Sequence, residues 1–131
     1  GGLRVPAFAR WPEKIKANSV IDVPLWSPDL LIASARLAGV ELPADRIFDG
    51  KDPLPVLMGE SNVSPHESFF FQYEEHAALR MGNWKIVRTK PDQSWQLFNL
   101  AEDISETNDR ANENPDIVTK LDAEFRLKQK R

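Results

Sequence analysis

Apolar positions along the chain change their spacing at about residue 69. Beyond that point they come in short runs that suit strands. The runs are Phe69-Phe70-Phe71-Gln72-Tyr73, residues 77–81, residues 84–88 and Trp95-Gln96-Leu97-Phe98-Asn99-Leu100. Gly82-Asn83 separates the second from the third and reads as a two-residue hairpin turn. Pro91-Asp92-Gln93-Ser94 marks the next turn. The pattern predicts an antiparallel sheet of three or four strands. A polar, acidic loop spans 101–113, and Asn114-Pro115-Asp116 starts a helix. Ile117, Leu121 and Phe125, with Val118 beside them, form its apolar stripe.

The first half reads differently. Residues 3–9 and 20–25 are short apolar runs, expected as strands, although Pro6 argues against a central, fully paired one. Ser27-Pro28-Asp29 has the composition of a helix start, with Ser27 as the cap, and Gly39 suits the residue just past the helix end. Leu30, Leu31, Ala35, Leu37 and Ala38 give helix 28–38 one apolar face, expected to be buried. Residues 40–68 are rich in Pro, Gly, Asp and Ser and read as a surface connector with one helical turn near Leu54–Met58. The fold class expected is α/β, becoming α+β in the C-terminal part.

Composition adds limits. With no cysteine, the sequence offers no disulfide, thiolate ligand or Cys nucleophile. A net charge of −3, with Lys and Arg alternating with Asp and Glu, gives no basic face for nucleic acid. The basic end Arg126-Leu127-Lys128-Gln129-Lys130-Arg131 suits the negative pole of a helix. No apolar run approaches the roughly 20 residues that span a bilayer. His66 and His76 lie too far apart in sequence for a metal pair on one element. Glu74-Glu75-His76 reads either as a solvated link or as the mouth of a site. Trp84, Trp95, Phe98 and Tyr73 read either as core or as a sugar-stacking platform.

Six landmarks stand in a set order: Gly1-Gly2-Leu3-Arg4-Val5-Pro6 with Trp11-Pro12; Asp29-Leu30-Leu31 through Leu37-Ala38-Gly39-Val40; Asp49-Gly50-Lys51-Asp52-Pro53-Leu54 through Gly59; Ala78-Leu79-Arg80-Met81-Gly82-Asn83-Trp84-Lys85-Ile86-Val87; Trp95 through Leu100; and Asp103-Ile104-Ser105-Glu106-Thr107-Asn108. Together they resemble the C-terminal portion of the sulfatase family, within the alkaline-phosphatase-like superfamily. Glu13, Ile32 and Ile104 depart from the family's usual residues at their positions.

The resemblance implies that residues 1–60 end an α/β catalytic domain and that 61–131 form an antiparallel-sheet-plus-helix subdomain. It implies a sulfuric ester hydrolase with a formylglycine and a calcium ion, both held by motifs preceding Gly1, so no catalytic or metal residue is assigned within this chain. The implied partners are the N-terminal catalytic part of the same enzyme and a sulfate-ester substrate, glycan or aryl. The implied setting is the periplasm or exterior of a bacterium. Glu75, His76 and Arg80 are the candidate substrate-wall residues. Residues 3–38, without their sheet partners, are expected to expose an apolar patch. A phosphatase or phosphonate hydrolase of the same superfamily, or a non-catalytic module that binds sulfated glycans, are the alternative readings.

Overall fold

The structure, a computed structural model, describes residues 4–130. The chain forms two compact units, Gly1–His66 and Glu67–Arg131.

In the first unit, helix α1 runs Asp29–Ala38 and the single turn α2 runs Leu54–Leu57. Pro28 stands at the N-cap of α1, and no side chain caps it, so the expected Ser27 cap does not form. Gly39, at φ 67°, closes the helix in the left-handed conformation that a residue without Cβ adopts at little cost. Its N–H donates to the Arg36 carbonyl (3.2 Å), and the Val40 N–H donates to the Ala35 carbonyl (2.9 Å).

The strands expected at 3–9 and 20–25 are absent: residues 4–10 and 20–25 have no regular hydrogen bonding. Leu3 lies outside the described residues. Pro6 and Pro24 remove ladder donors. The described part of this unit also offers no strand to pair with, and an isolated extended run cannot satisfy its backbone groups. The apolar face of α1 is likewise not buried. Leu30 is 64% exposed, with Leu31 and Leu37 exposed as well, while Asp29 and Ala33 are the buried residues.

The second unit follows the pattern closely. Strands β1 (Phe69–Tyr73), β2 (His76–Met81), β3 (Trp84–Arg88) and β4 (Gln96–Asn99) form an antiparallel meander in the order β1-β2-β3-β4. Helix α3 (Pro115–Gln129) packs on one face. There Ala77, Leu79, Ile86 and Leu97 meet Leu121 and Phe125 in the core. Phe125 stacks on Phe70 at 4.8 Å and meets Trp95 edge-on at 5.0 Å. Register explains the sorting: Leu79 pairs with Ile86, and Ile86 with Leu97, so all three point to the α3 side. Trp95 keeps its indole N–H satisfied by donating to Asp122 of α3 at 2.8 Å.

Candidate functional site

The first polar centre lies within the first unit. Asp29 begins α1, yet its carboxylate serves segments far away in sequence. Oδ2 accepts the Trp26 N–H at 3.1 Å. Oδ1 accepts the Lys51 N–H at 2.9 Å and lies 2.7 Å from His66 Nε2. The side chains of Asp29 and His66 are 2% and 4% exposed. A buried carboxylate is tolerated only when its lone pairs are met, and here two backbone donors and a ring nitrogen converge on them. Gly50 makes the arrangement possible. A Cβ there would sit 2.2 Å from the Pro28 carbonyl oxygen, so only glycine lets the Gly50–Lys51 backbone come this close to the start of α1.

The second centre lies in the second unit, on the sheet face away from α3. Lys85 of β3 is buried there and bonds both carboxylate oxygens of Glu106, at 2.6 and 2.7 Å. Glu106 sits in the 101–113 loop with a left-handed φ of 56°. That loop is built on aspartates. Asp103 accepts the Thr107 and Asn108 N–H groups, each at 2.8 Å, and the Thr107 hydroxyl at 3.1 Å. The Asn108 N–H above all, with the Thr107 donors, holds the Asp103 carboxyl below its usual range. Asp109 accepts the Leu97 N–H at 3.0 Å, and the Arg110 N–H donates to the Leu97 carbonyl at 2.8 Å, so the loop closes the free edge of β4.

The sequence-derived candidates lie along β2. Glu74 and Glu75 form the turn between β1 and β2, with Glu74 at φ 52° and Tyr73 paired to His76 across it. Glu75 and His76 are exposed, and Arg80 is half-buried. His76 and Arg80 share the face away from α3 but stand four residues apart, about 13 Å along an extended strand. The structure therefore brings Glu75 and His76 together at one end of β2 and sets Arg80 at the other. Arg80 Nε donates to the Gly82 carbonyl at 2.9 Å. Burial holds its guanidinium below the usual arginine range.

Of the aromatics, Phe98 is buried and Trp84 and Trp95 pack against the core, while Tyr73 is 73% exposed. They form no common platform. Among the described residues no three His, Cys, Asp or Glu side chains converge as a metal site would require. No described helix is long and apolar enough to cross a membrane.

From the sequence, Asp29 reads as a helix starter, and His66 lies too far from His76 for a metal pair on one element. Their meeting depends on a fold of the chain between residues 29 and 66 that no local spacing reports. The Asp49-Gly50 pair is the available signal, since a glycine before a helical turn can mark a close approach.

Comparison with known proteins identifies the class. The family described as N-sulphoglucosamine sulphohydrolase, C-terminal, matches residues 1–131, and the chain belongs to it. It is 49% identical over 73 residues to the steryl-sulfatase of Homo sapiens, covering 56% of this chain and 12% of that protein. To the arylsulfatase of Hemicentrotus pulcherrimus it is 36% identical over 102 residues, covering 76% of this chain and 18% of that one. The crystal structure of Ps i-CgsB superposes with a TM-score of 0.76 at 29% identity, over 89% of this chain and 27% of that one. The chain thus spans less than a fifth of these two relatives' own length and about a quarter of the solved structure's.

Proposed function

We propose that this chain works as the C-terminal part of a sulfuric ester hydrolase, supplying scaffold and one wall of the substrate pocket while doing no chemistry alone. One observation carries the reading. The first unit exposes Val5, Phe8, Val20, Leu30, Leu37 and Ile47, with Phe8 at 96%. Apolar exposure on this scale within one small unit marks a surface made to be covered. The occupant that fits is the larger, catalytic portion of the enzyme, which the coverage of the relatives leaves outside this sequence.

The substrate class is a sulfate ester, on an aryl group or a saccharide. The complex of Ps i-CgsB with k-i-k-neocarrahexaose supports a saccharide. The exposed turn residues Glu75 and His76, with Arg80 further along β2, form the wall. The calcium ion and formylglycine implied by the family belong to the catalytic portion.

The test compares three samples on nitrophenyl sulfate: this chain, the intact enzyme, and the intact enzyme carrying Phe8→Ser with Leu30→Ser. The chain alone is expected to be silent with or without calcium, and the double variant to lose activity together with thermal stability. Turnover by the chain alone would overturn the reading. So would a double variant as active and stable as the intact enzyme.

A further inference from the structure

Arg80 stands in an unusual electrostatic position. Its cross-strand neighbours are Phe69 on β1 and Lys85 on β3. Two cations directly opposite on one sheet face repel each other, and strands normally avoid the pairing. Lys85 is neutralised, since both oxygens of Glu106 close on its ammonium. Arg80 is not. Its hydrogen bond is the one from Nε to the Gly82 carbonyl, and no described carboxylate pairs with it. The ion pair of Glu106 is with Lys85 and does not extend to Arg80.

An arginine cannot escape a desolvated site by losing its proton. A half-buried guanidinium set opposite a second cation therefore carries a cost that an anion would offset. The bond from Nε to Gly82 also fixes the plane of the group, leaving the terminal Nη pair presented as a fork. Such a fork matches the two oxygens of a carboxylate or a sulfate.

We propose that Arg80 is an oxyanion-binding residue whose guanidinium fork receives a carboxylate or sulfate group supplied from outside the described residues. The group comes either from an acidic side chain of the catalytic portion of the enzyme or from the substrate. Only this question of source rests on the reading proposed above; the binding itself does not.

The test has two arms. In the first, the full chain is titrated with sodium sulfate against sodium chloride at matched ionic strength, and the Arg80 Nε–H resonance is followed by NMR, assigned by its disappearance in Arg80→Lys. A saturable shift with sulfate and not with chloride is expected. A resonance that responds to both salts alike, or to neither, overturns the proposal, whatever the fate of the sulfatase reading. The second arm uses the intact enzyme with Arg80→Lys, which keeps the charge and removes the fork, and with Arg80→Gln. If the substrate supplies the anion, KM for a disulfated saccharide rises about tenfold, as for the loss of one charge-assisted contact. KM for nitrophenyl sulfate then rises by less than for the disulfated saccharide, and the melting temperature is unchanged. If an enzyme carboxylate supplies it, both variants melt earlier, and KM shifts equally for the two substrates. Variants that match the parent in every readout overturn the proposal.

Discussion

Asp29 Oδ1 and His66 Nε2 lie 2.7 Å apart with both side chains almost wholly excluded from water. The same carboxylate takes the Trp26 and Lys51 N–H groups, so one side chain joins the start of α1, the Gly50–Lys51 backbone and the residue that ends the first unit. Asp29→Asn keeps the volume but turns an NH2 toward donors. A loss of about 2–4 kcal/mol is expected from the stranded donors. Denaturant unfolding of the full chain measures it, and His66→Gln, which keeps a donor within reach, should cost less. Equal and negligible effects would show that the carboxylate holds nothing.

Gly50→Ala probes the same junction sterically. The new Cβ would meet the Pro28 backbone carbonyl at 2.2 Å, and backbone cannot step aside as a flexible side chain can. The expected cost is about 2–3 kcal/mol, toward the upper end for overpacking. A melting curve unchanged from the parent would mean that the two segments do not approach so closely in solution.

Lys85 and Glu106 form the other buried ion pair, with side chains 11% and 26% exposed. Glu106→Gln should cost about 2 kcal/mol or more, because it strands a desolvated ammonium. Adding Lys85→Met to that variant should recover much of the loss, since the buried charge is then gone. A double-mutant cycle by denaturant unfolding reads the coupling, and strictly additive losses would show that the two groups act independently.

What could be read from the chain follows from how local each cause is. The four strands are legible because each apolar run is short and the runs are separated by Glu74-Glu75, Gly82-Asn83 and Pro91-Asp92, and α3 because Pro115 and the Ile117–Leu121–Phe125 spacing are local signals. The runs at 3–9 and 20–25 misled, since apolar β-formers say nothing about whether a neighbouring strand exists. The apolar stripe of α1 was visible, but not that it stays exposed. The partners of Asp29 and of Lys85 were out of reach. Lys51 follows Asp29 by 22 residues and Glu106 follows Lys85 by 21, and only the assembled fold brings them together. Arg80 could be named as a residue of interest, but its missing counter-charge could not, because that depends on the register that sets Lys85 opposite it.

Trp84 tests the aromatic assignment. It packs against the α3-side core while remaining half-buried. Trp84→Ala should therefore cost about 2 kcal/mol, below the 3–5 kcal/mol of a fully enclosed ring. No change in melting temperature would place the ring in a binding role on the surface.

Acid should loosen the 101–113 loop before it unfolds the sheet. The Asp103 carboxyl lies below its usual range, chiefly because the Asn108 N–H favours the charged form. A depressed folded-state value means that the charged carboxylate stabilises the loop. That contribution is fully present above the unfolded value, about 3.9. It declines as pH falls below that value toward the folded one, and is gone once Asp103 is protonated in both states. The loop holds Glu106 against Lys85 and Asp109 against Leu97, so its release should appear first as faster exchange of the Thr107, Asn108 and Leu97 amides. Asp103→Asn should show fast Thr107 and Asn108 exchange already at neutral pH, with little further change on acidification. If that variant keeps the parent's pH dependence at these amides, another carboxylate controls the loop.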